Sequence, residues 1–229
     1  MVPSIGNFIL WLSLFFAILQ FMISFKKDFI RLKQFNRITS NGLLFSTAFS
    51  FFVLMYSHII SDFSVLNVFQ NSHTTKPLLY KITGVWGNHE GSMLLWILVL
   101  AIVNFLINKL YNASNELFIN KTLQVQSFIT IGFIIFILFT SNPFEKMITV
   151  QPEGLGFNPV LQDPALAIHP PLLYLGYVGF SAAFSMSIAA MSLNNTSNIP
   201  WYKYMKPFVV VAWIFLTVGI AFGSIWAYY

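Results

Sequence analysis

The chain carries four histidines and no cysteine. Any metal it held would rest on imidazole or carboxylate, and it has no disulfide, thiolate site or redox dithiol of its own. One histidine stands at a junction. Residues 161–180 read LQDPALAIHPPLLYLGYVGF. A polar loop ends there, and Asp163 with Pro164 makes an N-cap and first-turn pair, predicting a short surface helix over 164–168. His169 precedes proline, which disfavours helical geometry and is expected to end that helix. Pro170 or Pro171 then starts an apolar run long enough to cross a bilayer. That places His169 by a helix N-terminus, whose positive end disfavours imidazolium. A neutral imidazole is what a metal such as haem iron requires. One histidine does not define a metal site. On spacing alone the alternative is an interfacial histidine with its hydrogen bonds satisfied.

A second constellation is LLYKITGVWGNHEGSMLLW, residues 78–96, where Trp86, His89 and Glu90 stand at re-entry into an apolar run. Gly87 and Gly91 permit tight turns. The zinc-helix pattern H-E-x-x-H fails because Met93 holds the second histidine position. The alternative is interfacial anchoring with a polar helix start at Ser92. His58, at the outer end of a span, and His73, in a polar loop, read as structural. Acid–base dyads, nucleophile constellations and glycine-rich phosphate loops are not visible.

The elements that must position these residues are membrane spans. The chain has 229 residues, 57% apolar and 8% charged, where a soluble domain has about a quarter charged. The fold class is therefore an all-α polytopic membrane protein of about six transmembrane helices. The spans expected are 5–25, 43–60, 92–108, 122–140, 171–192 and 207–229, forming one membrane domain over 1–229. Pro143 in Ser141-Asn142-Pro143 is expected to stop the fourth. The net charge of +5 comes from basic residues clustered between spans, an orientation signal rather than a nucleic-acid surface. Nine Lys and Arg fall on alternate loops taken as inner, and three (Lys76, Lys81, Lys146) on those taken as outer. This puts both termini on the outer side, the periplasm or intermembrane space. Absence of Lys or Arg before the first span marks it as an uncleaved helix. The predicted spans contain no Asp, Glu, Lys or Arg, which argues against an ion-transporting subunit. Gly219, Gly223 and Ala227 repeat at four-residue spacing, suiting close helix packing within the chain or docking to another chain. The 26 phenylalanines, with frequent Ile, Asn and Tyr, suit an AT-rich genome such as many organelle genomes.

At VWGNHEGSMLLW, ILFTSNPFE, LQDPALAIHPPLLYLGYVGFS and FGSIWAYY the chain resembles the N-terminal third of the CcmF family, the haem lyase subunits of cytochrome c maturation system I. The resemblance runs from VPSIGNFIL to the last residue. It implies a subunit of a membrane haem lyase that is not self-sufficient. Haem b, as substrate, is presented on the outer face for thioether attachment to a CxxCH motif, whose thiols the apocytochrome c supplies. His169 matches the external histidine that ligates this haem, with the second axial ligand on another chain. Trp86, Tyr174 and Trp226 are candidates to pack on the porphyrin, or on protein or lipid instead. No role is implied for His89. The family continues past WAYY into a tryptophan-rich WWD region, a second external histidine and two membrane histidines that ligate a structural b-type haem. The chain is thus expected to be one piece of a split member, or a truncated one. Its expected partners are C-terminal fragments carrying the WWD region, other maturation components including the haem chaperone, apocytochrome c and the lipid membrane; no nucleic acid is expected. The expected location is the mitochondrial inner membrane, with a bacterial plasma membrane as the alternative. The alternative function is haem transport or handling without catalysis of bond formation.

Overall fold

A computed structural model describes residues 2–25, 29–111, 115–156, 162–193 and 200–228. In chain order the helices are α1 (Val2–Ile23), α2 (Phe29–Ile59), α3 (Leu66–Asn71), α4 (Leu78–Thr83), α5 (His89–Lys109), α6 (Glu116–Thr140), α7 (Pro164–Gly179), α8 (Ser181–Ser192) and α9 (Trp201–Tyr228). Six stretches are long and apolar enough to span a membrane: α1, most of α2, α5, α6, the α7–α8 pair and α9. The all-α, six-span architecture expected from hydropathy is what the described residues show.

Two boundaries differ from the sequence expectation. α2 starts at Phe29, not at 43, and its 31 residues measure about 46 Å at 1.5 Å per residue. Lys33 and Arg37 therefore ride on helical turns rather than in a loop. Polarity ends the hydropathy signal there, but no proline or glycine ends the helix before Gly42. The second difference is α7, which continues through Pro170 and Pro171. The short surface helix and the membrane helix are one element, and a turn at Phe180 separates it from α8.

Four spans are cross-linked by buried amides and hydroxyls. Ser40 Oγ on α2 donates to Asn104 Oδ1 on α5 (2.9 Å). Asn104 Nδ2 donates to Gln20 Oε1 on α1 (2.8 Å), which also accepts from Ser127 Oγ on α6 (3.0 Å). All four residues are 0% exposed. Lipid tails are as apolar as leucine, so apolar surface alone does not pair helices in a membrane; hydrogen bonds and close packing do. A second tie joins α2 to α6, where Asn36 Nδ2 donates to Asn120 Oδ1 (3.0 Å). Gln126 on α6 binds Ser181 and Ser185, fixing α8 against the same bundle.

At one end of the bundle, Asn142 Nδ2 donates to Asn7 Oδ1 (3.0 Å), setting the end of α6 beside the start of α1. Gly223 on α9 meets His169 on α7 at that same end, so the first and last spans terminate together there. Segments 60–88 and 141–156 cover it. They are stitched by Leu66 N–H to Glu145 O (2.8 Å), Met147 N–H to Ser64 O (2.9 Å) and Leu155 N–H to Phe69 O (2.8 Å). The opposite end carries Lys33, Arg37, Lys109, Lys121, Lys203 and Lys206.

Candidate functional site

Asp163 caps α7 as expected, accepting from Ala165 N–H (2.7 Å). The helix then runs past His169 for a physical reason that lies elsewhere in the chain. Pro171 has no N–H to donate to Ala167 O four residues back. Trp86 Nε1–H donates to that carbonyl instead (3.1 Å). The indole supplies the bond that the proline withholds, and it pins the 84–88 turn to α7 two residues before His169.

His169 is the sixth residue of a continuous helix, not the residue before a new one. The helix-end field fades within the first turn, so the expectation that it governs the imidazole is corrected. The ring is held instead by α9. Nδ1 lies 2.7 Å from Gly219 O. A carbonyl only accepts, so Nδ1 carries a hydrogen, and the neutral ring then has its lone pair on Nε2. Nε2 bonds to no described residue. Gly223 makes the space: a Cβ there would stand 2.7 Å from Nδ1 and would clash with Cε1. Gly219 does the same for Leu173, whose backbone nitrogen would be 2.9 Å from an added Cβ. Gly219 and Gly223 of the small-residue stripe therefore pack within the chain, seating α9 on α7, while Ala227 is exposed.

The three aromatic candidates are placed differently. Trp86 stacks on Phe51 (6.4 Å between centroids, 13° between planes) and touches α7 through Ala167. Trp226 lies one turn beyond Gly223, partly buried, at the His169 end of α9. Tyr174, partly buried, packs edge-on against Trp96 of α5 (5.7 Å, 63°).

The same end contains a polar cluster that sequence reasoning missed. His58 Nε2 lies 2.9 Å from Asn67 Oδ1. Asn67 Nδ2 donates to Asn88 Oδ1 (2.7 Å) and to Glu90 Oε2 (3.1 Å). Asn88 Oδ1 also accepts from Gly91 N–H (2.8 Å), making it the N-cap of α5. The helix therefore starts at His89, and Ser92 is already in its first turn, against the expected start. Asparagine directly before His-Glu was the available signal, since it is a preferred N-cap. Gly91 is needed for space: a Cβ would collide with Val85 O. His89 Nε2 reaches Ser141 Oγ (3.0 Å), linking the start of α5 to the end of α6. His73 faces Glu153 (3.8 Å) in the loops. Hydrogen bonds from Thr74 hold the Glu153 carboxyl below its ordinary range. Among the described residues no three His, Cys, Asp or Glu gather as a metal cage. Chemically the site offers a single oriented imidazole with an uncommitted Nε2, suited to an axial position on a metal held mainly by other ligands.

A family model described as Cytochrome C assembly protein matches residues 86–229. Over 232 residues the chain is 47% identical to Cytochrome c-type biogenesis protein CycK of Bradyrhizobium diazoefficiens, covering 100% of this chain and 35% of that protein. It is 40% identical over 233 residues to Cytochrome c-type biogenesis protein CcmF of Escherichia coli, covering 100% of this chain and 36% of that one. The solved structure of Cytochrome c Heme Lyase CcmF superposes with a TM-score of 0.85 at 25% identity, over 100% of this chain and 36% of its own. The chain thus spans about 35% of the length of these relatives. A match over residues 86–229, together with similarity to these biogenesis proteins along the whole of this chain, establishes that the chain belongs to the cytochrome c assembly protein family.

Proposed function

We propose that this chain is a subunit of a membrane cytochrome c haem lyase and that His169 Nε2 gives one axial ligand to the haem being attached. The observation that carries the reading is the His169–Gly219 bond, which leaves Nε2 as the donor atom. The proposed partner is a polypeptide supplying the rest of the relatives' length, with the WWD region and the second axial ligand. The haem chaperone and apocytochrome c are the proposed suppliers of haem and thiols. Both termini and His169 face the outer side in this reading, supported by the excess of Lys and Arg at the other end. The proposed membrane is the mitochondrial inner membrane, which fits the AT-rich residue bias.

The haem is substrate here. This chain's residues would fix its orientation: the Gly219 carbonyl aims the imidazole, Trp86 holds α7, and Trp226 stands where a porphyrin edge could rest. Tyr174 is assigned to packing, because its ring is engaged by Trp96. Catalysis in this reading is positional, holding the vinyl groups against the two thiols.

The test is co-expression with the partner polypeptide and a CxxCH reporter, comparing wild type with His169→Ala. The expected outcome is a fall of about 10²-fold in covalent haem, with reduced Soret absorbance of the purified complex. Unchanged covalent yield and unchanged haem content would exclude the ligand role. A wild-type complex that holds haem but yields no thioether product would point to haem handling without bond formation.

A further inference from the structure

The end of the bundle opposite His169 contains a site of another kind. Lys33, Arg37 and Asn41 follow one another at four-residue spacing on α2, so they share one face. Asn108, Lys109 and Tyr111, at the end of α5, close against them around a cavity of about 190 Å³. A water molecule in the liquid takes about 30 Å³. Among the described residues three cations line the cavity and no carboxylate does. The carboxylate acting on Tyr111 is Glu116, at the start of α6.

Two lining groups have unmet hydrogen-bonding capacity. Asn108 Oδ1 is buried with no hydrogen-bond partner among the described residues, and the buried Tyr111 hydroxyl has the Asn36 side chain beside it, which leaves its own hydrogen to donate; the two residues are 8% and 7% exposed. Buried polar groups are otherwise paired in folded proteins. Burial, with Glu116 adding to it, pushes the Tyr111 hydroxyl up to about 12, so it remains an O–H donor. A ligand suited to this lining accepts from Tyr111, tolerates three cations and donates to Asn108. A phosphate with a neighbouring hydroxyl meets all three requirements.

Depth selects the source. Arg37 lies 22 residues before Ile59, the far end of α2, or about 33 Å along the axis. That matches a hydrocarbon core of about 30 Å, so Arg37 stands at its boundary and Lys33 in the headgroup layer. Exposed Phe35 and Ile38 beside them are suited to acyl chains. We propose that this cavity binds the headgroup of an anionic glycerol-type phospholipid, its phosphate on Arg37, Lys33 and the Tyr111 hydroxyl and its headgroup hydroxyl on Asn108. Lys109, whose Nζ rests 4.9 Å over the Phe105 ring, adds charge at the rim.

The experiment uses the full chain purified in detergent and challenged with phosphatidylglycerol, phosphatidylcholine or inorganic phosphate. Retained lipid is counted by native mass spectrometry. Phosphatidylglycerol is expected to be retained over phosphatidylcholine. Arg37→Gln should weaken retention about fivefold, and Lys33→Gln with Arg37→Gln about 25-fold, from the usual effect of each cation near a phospholipid surface. Tyr111→Phe keeps the packing and should also weaken it. Lys203→Gln with Lys206→Gln, at the same end but outside the cavity, should not. Equal retention of both lipids, or equal losses in the control and Arg37→Gln, would overturn the proposal. Binding of inorganic phosphate with no phospholipid retained would assign the cavity to a soluble phosphate compound and overturn it too.

Discussion

The α1–α2–α5–α6 core and the α7–α9 pair are joined by different chemistry. In the core, side-chain amides and hydroxyls from four helices meet around Gln20 and Asn104. Such groups cannot slide without stranding a polar atom in a dry interior, so they set helix register. Between α7 and α9 the close contact comes from missing side chains at Gly219 and Gly223, with the His169–Gly219 bond across the seam. Only Ala212 and Gly219 are buried on α9, and Trp213, Ile214, Ile220 and Ile225 face outward. The core is tied together by its own side chains, while the α7–α9 pair holds the His169 imidazole and leaves most of α9 open.

The α7–α9 seam is the more sensitive of the two. Gly223→Leu drives a side chain into the His169 ring. It should cost about 1–3 kcal/mol of overpacking and reduce covalent haem in the reporter assay about as far as His169→Ala, with Gly223→Ala intermediate. Full activity in Gly223→Leu would show that close approach does not position the ring. In the core, Asn104→Leu strands Ser40 and one face of Gln20. Thermal unfolding in detergent should show a loss of about 0.6–2 kcal/mol. Adding Gln20→Leu and Ser40→Ala should recover part of it, since Ser127 keeps its bond to Leu123 O and removing the other partners leaves fewer groups unmet; a further equal loss would contradict the network account.

Smaller effects sharpen the boundary between the two regions. Asn88→Ala removes the α5 cap and a partner of Asn67, and should cost about 1 kcal/mol in the same unfolding measurement. The smallest effect lies in the loops. Glu153 has a folded pKa below its ordinary value, held there chiefly by Thr74. Its contribution is therefore present above the ordinary carboxylate range and lost as pH falls through the lowered value. Limited proteolysis of segment 141–156 should accelerate on acidification in wild type, and Glu153→Gln should be faster at neutral pH and flatter with pH. An identical pH response in both proteins would remove Glu153 from the clamp.

The spans were legible because hydropathy is a local property: apolar runs of about 20 residues need no knowledge of their neighbours. The stop after Thr140 followed from Pro143 in the same way. The asymmetry of Lys and Arg between the two ends was likewise present in linear order, and His169 could be picked out by its place between a capped helix start and an apolar run. Polar helical turns were not legible. α2 begins well before residue 43 because helix propensity continues where hydropathy stops.

The sequence by itself determined a six-span helical bundle, its two chemically unlike ends and one histidine worth testing. Tertiary structure decided how that histidine is held. Trp86, 81 residues from Ala167, satisfies the carbonyl that Pro171 leaves open, so α7 continues where local rules end it. Gly219, 50 residues from His169, accepts from Nδ1 and sets the orientation of the ring. Both depend on partners brought together by packing, and a hydrogen-bond partner far along the chain leaves no trace in local spacing.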